Sequence, residues 1–567
     1  MCFGAILAII IPVVLGMPRG ERRPSSARRA PAPATSCVAP RAGPLAGGTC
    51  LPIAQVVPAP SSSPLTPIVI SLDPAVRASA REARYALRTI AHTAGFPVHF
   101  AWHDDLRPAP EVYYGPRLDV AAAIVVPSVP WPLAEAPTHH PVASRESGGV
   151  PHLVFAQERQ ERDWTASSGD GDAVLRHPTD VVFAAFWLLT GAAEPSYPRS
   201  RFDDLDLDAS VLTRDGLLAR PVVSLLAARW RAHLERRGLR PEPWPWEDRG
   251  GCAFALSSDV DYPEIIRPIE VLRVLRARGV GGLRLAARVA SGASHFWTFR
   301  EWFPLARRLG TRPCFYFMAR QGSLVQYALG TPDDFYDVRT PRFQQLFAEL
   351  RDEGCEIGLH ASFHAHRGVD VLRREVQRIA EAAQVACAGN RHHYWHLDPA
   401  DPNETLRRHA EAGLRYDSSL GLEYYPGFRR GICHPFRVFD RTTGVPLRIV
   451  QLPPAWMDDH FDRRLARNGI RDAEAAARAL VEVARDTRGI VVVDYHSRGM
   501  NADFYPRYGP WLERFAAQHL EGRVRGMTPL EIHDAFVARD ARLLAASRDE
   551  TVDALPPRVS APPAHAP

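Results

Sequence analysis

The sequence predicts two α/β domains in tandem, the second built on a parallel sheet. Three observations predict this. The 567 residues exceed what one ordinary hydrophobic core serves, so two domains with tails are expected. From Cys252 onward, short apolar strand-like runs alternate with helical stretches, which places helices outside a parallel sheet, open or closed into a barrel. The run Pro241-Glu-Pro-Trp-Pro-Trp246 punctuates the chain between this region and another α/β stretch before it. The expected divisions are 1–63, an apolar segment and linker; 64–247, an α/β domain; 248–545, the repeating β/α domain; and 546–567, a disordered tail.

Composition narrows the class. Hydrophobic content of 46% and charged content of 23% are globular values. Net charge is +5, and every basic residue is arginine. No arginine block is interleaved with aromatics, so nucleic acid is not an expected partner. The eight cysteines are scattered without a CxxC pair, which reads as buried free thiols rather than a disulfide framework. Cys2 to Leu15 is apolar, with arginines after it instead of before it. That order is the reverse of a secretory signal, and the run is short for a membrane span. It reads as an anchor holding the body in the cytoplasm, or as the product of a start codon upstream of the true one. Cytoplasmic or membrane-associated location is expected, with membrane contact only through this segment. Pro18 to Ser63 is rich in Pro, Ala, Ser and Arg without periodicity and reads as linker.

In the front domain, strands are expected at Ile68–Leu72, Pro97–Trp102, Ala121–Val126 and His152–Phe155. Helices are expected over Pro74–Ala91, from the Asp180 cap to Leu189, and from Pro221, at a favoured first position, to Arg237. No GxGxxG or Walker loop follows any strand. Asp203-Asp-Leu-Asp-Leu-Asp208 lacks the glycine and terminal glutamate of a calcium loop and reads as a solvated turn. In the second domain, strands are expected at Cys252–Leu256, Cys314–Met318, Glu356–Leu359, His392–Trp395, Val445–Leu452 and Ile490–Asp494. Helices are expected at Pro341–Glu353, Val369–Ala386, Thr405–Gly413 and Asp472–Asp486.

Parallel sheets gather their sites at the carboxyl ends of strands, and five such ends carry chemistry. Asp259 and Asp261 follow the first strand. In extended chain their i, i+2 spacing puts both on one side, where two like charges call for a metal, a proton or another positive partner. His360 and His364 stand at i, i+4, a spacing that converges two imidazoles in a helical turn. Asn390-Arg-His-His-Tyr-Trp-His396 is dense in hydrogen-bonding and aromatic groups, as a groove wall would be. Trp456-Met-Asp-Asp459 and Ile490-Val-Val-Val-Asp-Tyr-His496 each end an apolar run in polar side chains.

With Ser258-Asp-Val-Asp261, His360-Ala-Ser-Phe-His364, Gly389-Asn-Arg-His-His-Tyr394, Tyr416-Asp-Ser-Ser-Leu-Gly421 and Gly427-Phe-Arg-Arg-Gly-Ile-Cys-His-Pro-Phe436 in this order, residues 251–539 resemble the polysaccharide deacetylases of the NodB-homology type (carbohydrate esterase family four). They are most similar to a subgroup with an Asp-Val-Asp first motif and a preceding α/β domain, which Asp180–Thr190 and Gly216–Pro221 match. The resemblance implies a distorted (β/α) barrel and metal-dependent removal of N- or O-linked acetyl groups from a cell-envelope or exported polysaccharide or its precursor. It implies Asp261, His360 and His364 as ligands of a divalent metal, zinc by preference, with Asp259 as base and His496 as acid. Arg391 would steady the base and Asp458 would orient His496. Tyr394, Trp395, Trp456 and Arg429 would line the glycan site. The sequence departs from the broad family in its Asp-x-Asp spacing, which leaves open which of Asp259 and Asp261 is base and which is ligand, and in Arg391-His-His-Tyr394, where the family has Arg-x-Pro-Tyr. His366 and His393 could substitute as ligands or stand behind them as hydrogen-bonding supports. Relatives on the same barrel open cyclic amides, and a non-catalytic glycan-binding relic is the third reading.

Overall fold

The computed structural model describes residues 64–103, 109–131, 139–156, 173–200, 202–323, 333–461 and 472–549. The expectations for residues 1–63 and for the far end of the tail lie outside these. No helix among the described residues is long and apolar enough to cross a membrane.

The front domain is a parallel sheet of β1 (Ile68–Leu72), β2 (Val98–Trp102), β3 (Val112–Gly115), β4 (Ile124–Pro127) and β7 (Leu175–Arg176). A side hairpin pairs β5 (Ala143–Ser147) with β6 (Val150–Val154). The expected strand at His152 is therefore a hairpin arm and not part of the main sheet. Helices Ala80–Ala94, Val181–Thr190 and Val222–Arg236 cover the sheet. Asp180 Oδ1 accepts the Phe183 amide at 2.8 Å and starts the second of these, as an N-cap side chain does.

The second domain is a parallel sheet ordered β15 (Val450–Gln451), β12 (Tyr416–Asp417), β11 (Gly389–His392), β10 (Glu356–Ala361), β9 (Cys314–Met318), β8 (Ala253–Asp259), β17 (Ile490–Asp494) and β16 (Pro454–Met457). Only Leu452 and Pro453 separate the two edge strands in the chain, so the sheet curls round until its edges stand together. This is the distorted barrel expected, with helices outside. The short β18 (Arg525–Gly526) pairs with the start of β8. A separate antiparallel pair joins β13 (Phe439–Asp440) to β14 (Val445–Pro446). The strand expected over Val445–Leu452 is thus split between β14 and β15, and the one at His392–Trp395 lies earlier, at Gly389–His392.

The two domains are clasped together. The helix Pro529–Ala546 leaves the barrel, and β19 (Arg548–Asp549) then pairs with β2 of the front sheet, so ordered chain runs beyond residue 545. Buried Arg539 on this helix donates to the carbonyls of His92 at 2.8 Å and Glu242 at 2.9 Å, and lies 3.9 Å over the Trp244 ring. The proline-rich connection is therefore held tightly.

His434 sits at the same junction. Ser224 Oγ accepts the Cys433 amide at 3.0 Å and stands 2.9 Å from His434 Nδ1. Burial lowers His434 from 6.5 to about 3, and the ring is neutral in the folded protein. Below about pH 6.5 the unfolded chain takes up a proton that the folded chain refuses, so stability falls as pH drops from 6.5 toward 3. The expected loss is on the order of 4 kcal/mol over that window. Urea midpoints at pH 7.5 and pH 5 should differ clearly for the wild type and less for His434→Gln. Equal pH dependence in the two proteins would refute this account.

Candidate active site

The barrel's carboxyl-terminal mouth collects the predicted residues because each strand ends there. β8 delivers Asp259 at its last residue, with Asp261 two further on. β10 carries His360 in register with Arg391 of β11. β16 ends just before Asp458, and β17 just before His496.

Asp261 is the hub. Its Oδ1 lies 3.4 Å from His360 Nε2, and its Oδ2 lies 3.8 Å from His393 Nε2 and 3.3 Å from His496 Nε2. Asp261, His360 and His393 are all buried, and their donor atoms lie within 4.8 Å of one another. His360 Nδ1 donates to the Arg391 carbonyl at 2.8 Å, which turns Nε2 toward Asp261. His393 Nδ1 faces Asp333 Oδ1 at 3.5 Å. Such outer partners orient imidazole ligands. Burial opposes a charge on His360, yet Asp259 and Asp261 outweigh it and raise its pKa to about 9. The same negative field favours a cation. Asp261 Oδ1 and His360 Nε2 are buried and have no hydrogen-bond partner among the described residues. One carboxylate and two imidazoles form a donor set suited to catalytic zinc, with positions left for water and substrate.

Two clamps flank the group. Arg391, fully buried, holds Asp259 Oδ1 at 3.0 Å and Asp494 Oδ1 at 3.1 Å, and its Nη2 donates to Ser257 Oγ at 2.7 Å. Burial, followed by the charge of Asp259, pushes Asp494 up to about 7. On the other side, Asp458 accepts from His496 twice: Oδ1 from Nδ1 and Oδ2 from the backbone amide, both at 2.9 Å. Burial works against a charged His496, but Asp458 prevails and holds its pKa well above the ordinary histidine value.

Four predicted residues take other places. His364 is not in the Asp261 group. His360 lies within extended β10, so helical i, i+4 convergence does not apply; His364 follows the strand's end and groups with His366 and His396. His396 is engaged on both nitrogens, at 2.7 Å from the Phe363 carbonyl and 3.0 Å from Asp203 Oδ2. The acidic loop therefore meets the barrel instead of standing wholly in solvent. Trp395 is buried against Gly421, where a Cβ would come within 2.6 Å of its ring. Trp456 is fully buried, edge-on to Phe515. Neither presents a face to a sugar. Arg429 is buried in an ion pair with Glu194 of the front domain. Tyr394 remains half-buried beside His393.

His393 arrives through an unusual backbone. Tyr394 and Trp395 follow it with φ of 58° and 48°, a left-handed conformation that costs bulky residues about 1–3 kcal/mol each and concentrates at functional sites. Spacing gave no signal for this turn. Asp333 also had none, since it comes from a loop between distant elements. Asp494 could have been found, because Asp494 and His496 repeat the i, i+2 pattern of Asp259 and Asp261.

Fold and site together define a curled α/β barrel whose mouth holds the buried group Asp261, His360 and His393 between the Arg391–Asp259 and Asp458–His496 pairs. No protein-family model and no curated protein matches the chain. Among solved structures, it is similar to a Mycobacterium smegmatis protein assigned as a polysaccharide deacetylase (20% identity, 52% of this chain and 93% of that one, TM-score 0.34). It is also similar to a Bordetella bronchiseptica protein assigned as a polysaccharide deacetylase of O-antigen biosynthesis (18%, 52% and 92%, TM-score 0.22). A third is a family 4 carbohydrate esterase from Streptomyces lividans, solved with acetate (12%, 47% and 88%, TM-score 0.23).

Proposed function

We propose that this protein hydrolyses N- or O-linked acetyl groups on a cell-envelope or exported polysaccharide or its precursor, using a divalent metal, zinc by the donor set. One observation carries the reading: Asp261, His360 and His393 converge between an arginine-clamped aspartate and an aspartate-clamped histidine. The motif resemblance supplies the substrate class.

Asp261 Oδ, His360 Nε2 and His393 Nε2 would hold the ion. A bound dication lowers the pKa of a ligated water toward neutrality and polarises the acetyl carbonyl. Asp259 takes the proton from the attacking water. Arg391 holds Asp259 in place through the 3.0 Å contact. His496 gives its Nε2 proton to the departing nitrogen or oxygen as the bond to the acetyl carbon breaks. Its Nδ1–H remains on Asp458, so the proton donated is the one facing the site. Positioned acid–base groups of this kind each contribute about 10²–10⁴-fold.

Asp259→Asn should lower acetate release by about 10²–10⁴-fold while the purified protein keeps its metal content. His360→Ala should lose the metal as well. A panel of acetylated oligosaccharides and small cyclic amides, scored for acetate, tests the substrate class. Full acetate release by the Asp259→Asn protein would falsify the assignment of the base.

A further inference from the structure

The segment directly after Asp261 makes a two-helix hairpin, Arg267–Arg278 and Leu283–Ser291, joined through a short turn at Gly279–Gly282. Its inner side is accounted for. Val274, Leu285, Ala286 and Val289 form a small core of their own, with Ile265 and Phe504 packed against it. Arg288 Nε donates to Asp503 Oδ2 at 2.9 Å. The hairpin is thus braced on the loop that follows His496, and it rises from the loop that follows Asp261. Both roots lie at the barrel mouth.

Its outer side is unlike the rest of the surface. Leu272, Val280 and Leu283 are 63%, 87% and 59% exposed. They are three of the six large apolar side chains exposed among the described residues, and they fall within one short stretch. Around them, Arg267, Arg273, Arg276, Arg278 and Arg284 are exposed, Arg273 also pairing with Glu270 at 3.2 Å. Against two glutamates, residues 264–291 carry a formal charge of +4. Apolar side chains at a tip ringed by arginines match a bilayer interface, where the tip enters the acyl boundary and the guanidinium groups meet lipid phosphates. A second copy of the chain fits poorly, because a two-fold contact would set this charge against itself.

We propose that the hairpin of residues 264–291 docks the protein on an anionic lipid bilayer, so that the barrel mouth opens beside the membrane surface. The docking stands on the hairpin alone. The corollary, that the acetylated saccharide is presented on a lipid carrier, rests on the hydrolase reading above.

The test is cosedimentation of the full-length protein with vesicles of equal parts phosphatidylglycerol and phosphatidylcholine, and with phosphatidylcholine alone. The wild type should bind the anionic vesicles, and added salt should release it. The triple variant Leu272→Asp, Val280→Asp, Leu283→Asp should bind them roughly tenfold or more weakly, with an unchanged thermal midpoint and unchanged acetate release from a soluble oligosaccharide. Leu118→Asp with Val445→Asp, which places the same charges on exposed apolar sites elsewhere, should bind as the wild type does. Equal binding by the hairpin variant overturns the proposal, as does equal binding of the wild type to both vesicle types. So does a wild-type dimer that the hairpin substitutions dissociate. Vesicle binding without acetate release from any substrate would remove the hydrolase reading and leave the docking surface in place.

Discussion

His393→Ala should empty the metal site and abolish acetate release, whereas His364→Ala should keep the metal. His393, and not His364, stands with Asp261 and His360. His393 Nε2 points at Asp261 Oδ2 from 3.8 Å, and Asp333 backs its other nitrogen. His364 faces His366 and His396 instead. Loss of an outer partner of a metal ligand costs about 10–100-fold in affinity or activity, so loss of the ligand itself should exceed that range. Metal analysis of the two purified variants, beside the wild type, decides the matter. A metal-free His364→Ala protein with a metal-loaded His393→Ala protein would restore the ligand set that the family resemblance implies. Asp333→Asn should fall between them, with weakened metal retention and unchanged stability.

Glu194→Ala should destabilise the protein by about 3–5 kcal/mol. Glu194 of the front domain receives two guanidinium groups from the barrel. Arg429 reaches it through Nε at 3.0 Å and Nη2 at 2.6 Å, and Arg430 through Nε at 2.9 Å. All three side chains are buried. Burial alone would raise the Glu194 pKa, but the two arginines outweigh it and hold it below the usual range. Removing the carboxylate leaves two buried guanidinium groups without their counter-charge, and that uncompensated charge is the source of the cost. Gly191 belongs to the same device. It ends the helix Val181–Thr190 with φ of 59°, and a Cβ there would fall within 2.1 Å of Arg430. Urea unfolding should show the loss for Glu194→Ala. Glu146→Ala, which breaks the exposed pair with Arg220, should change stability by about 1 kcal/mol or less. A Glu194→Ala protein as stable as the Glu146→Ala protein would mean that the buried triad contributes nothing to joining the domains.

The two results bear on one architecture. The front domain sends Glu194 to Arg429 and Asp203 to His396, and both partners belong to segments beside the site. Its contacts set the walls of the mouth without adding a side chain to the Asp261, His360 and His393 group.

Local patterning determined much of this protein by itself. The strand Ile490–Asp494, the cap at Asp180 and the position of Asp259 at a strand end all follow from apolar runs and cap chemistry, which act within a few residues. Asp259 with Asp261 and His360 with His364 were visible as pairs for the same reason. Only the tertiary structure decided which imidazole completes the Asp261 group. That choice depends on the β10–β11 register and on the left-handed turn at Tyr394 and Trp395, which bring His393 across from a neighbouring strand. It likewise decided that Trp395, Trp456 and Arg429 are buried. An aromatic ring or a guanidinium has the same sequence signature in a groove as in a core, and what surrounds it is set by segments far away in the chain: Gly421, Phe515 and Glu194.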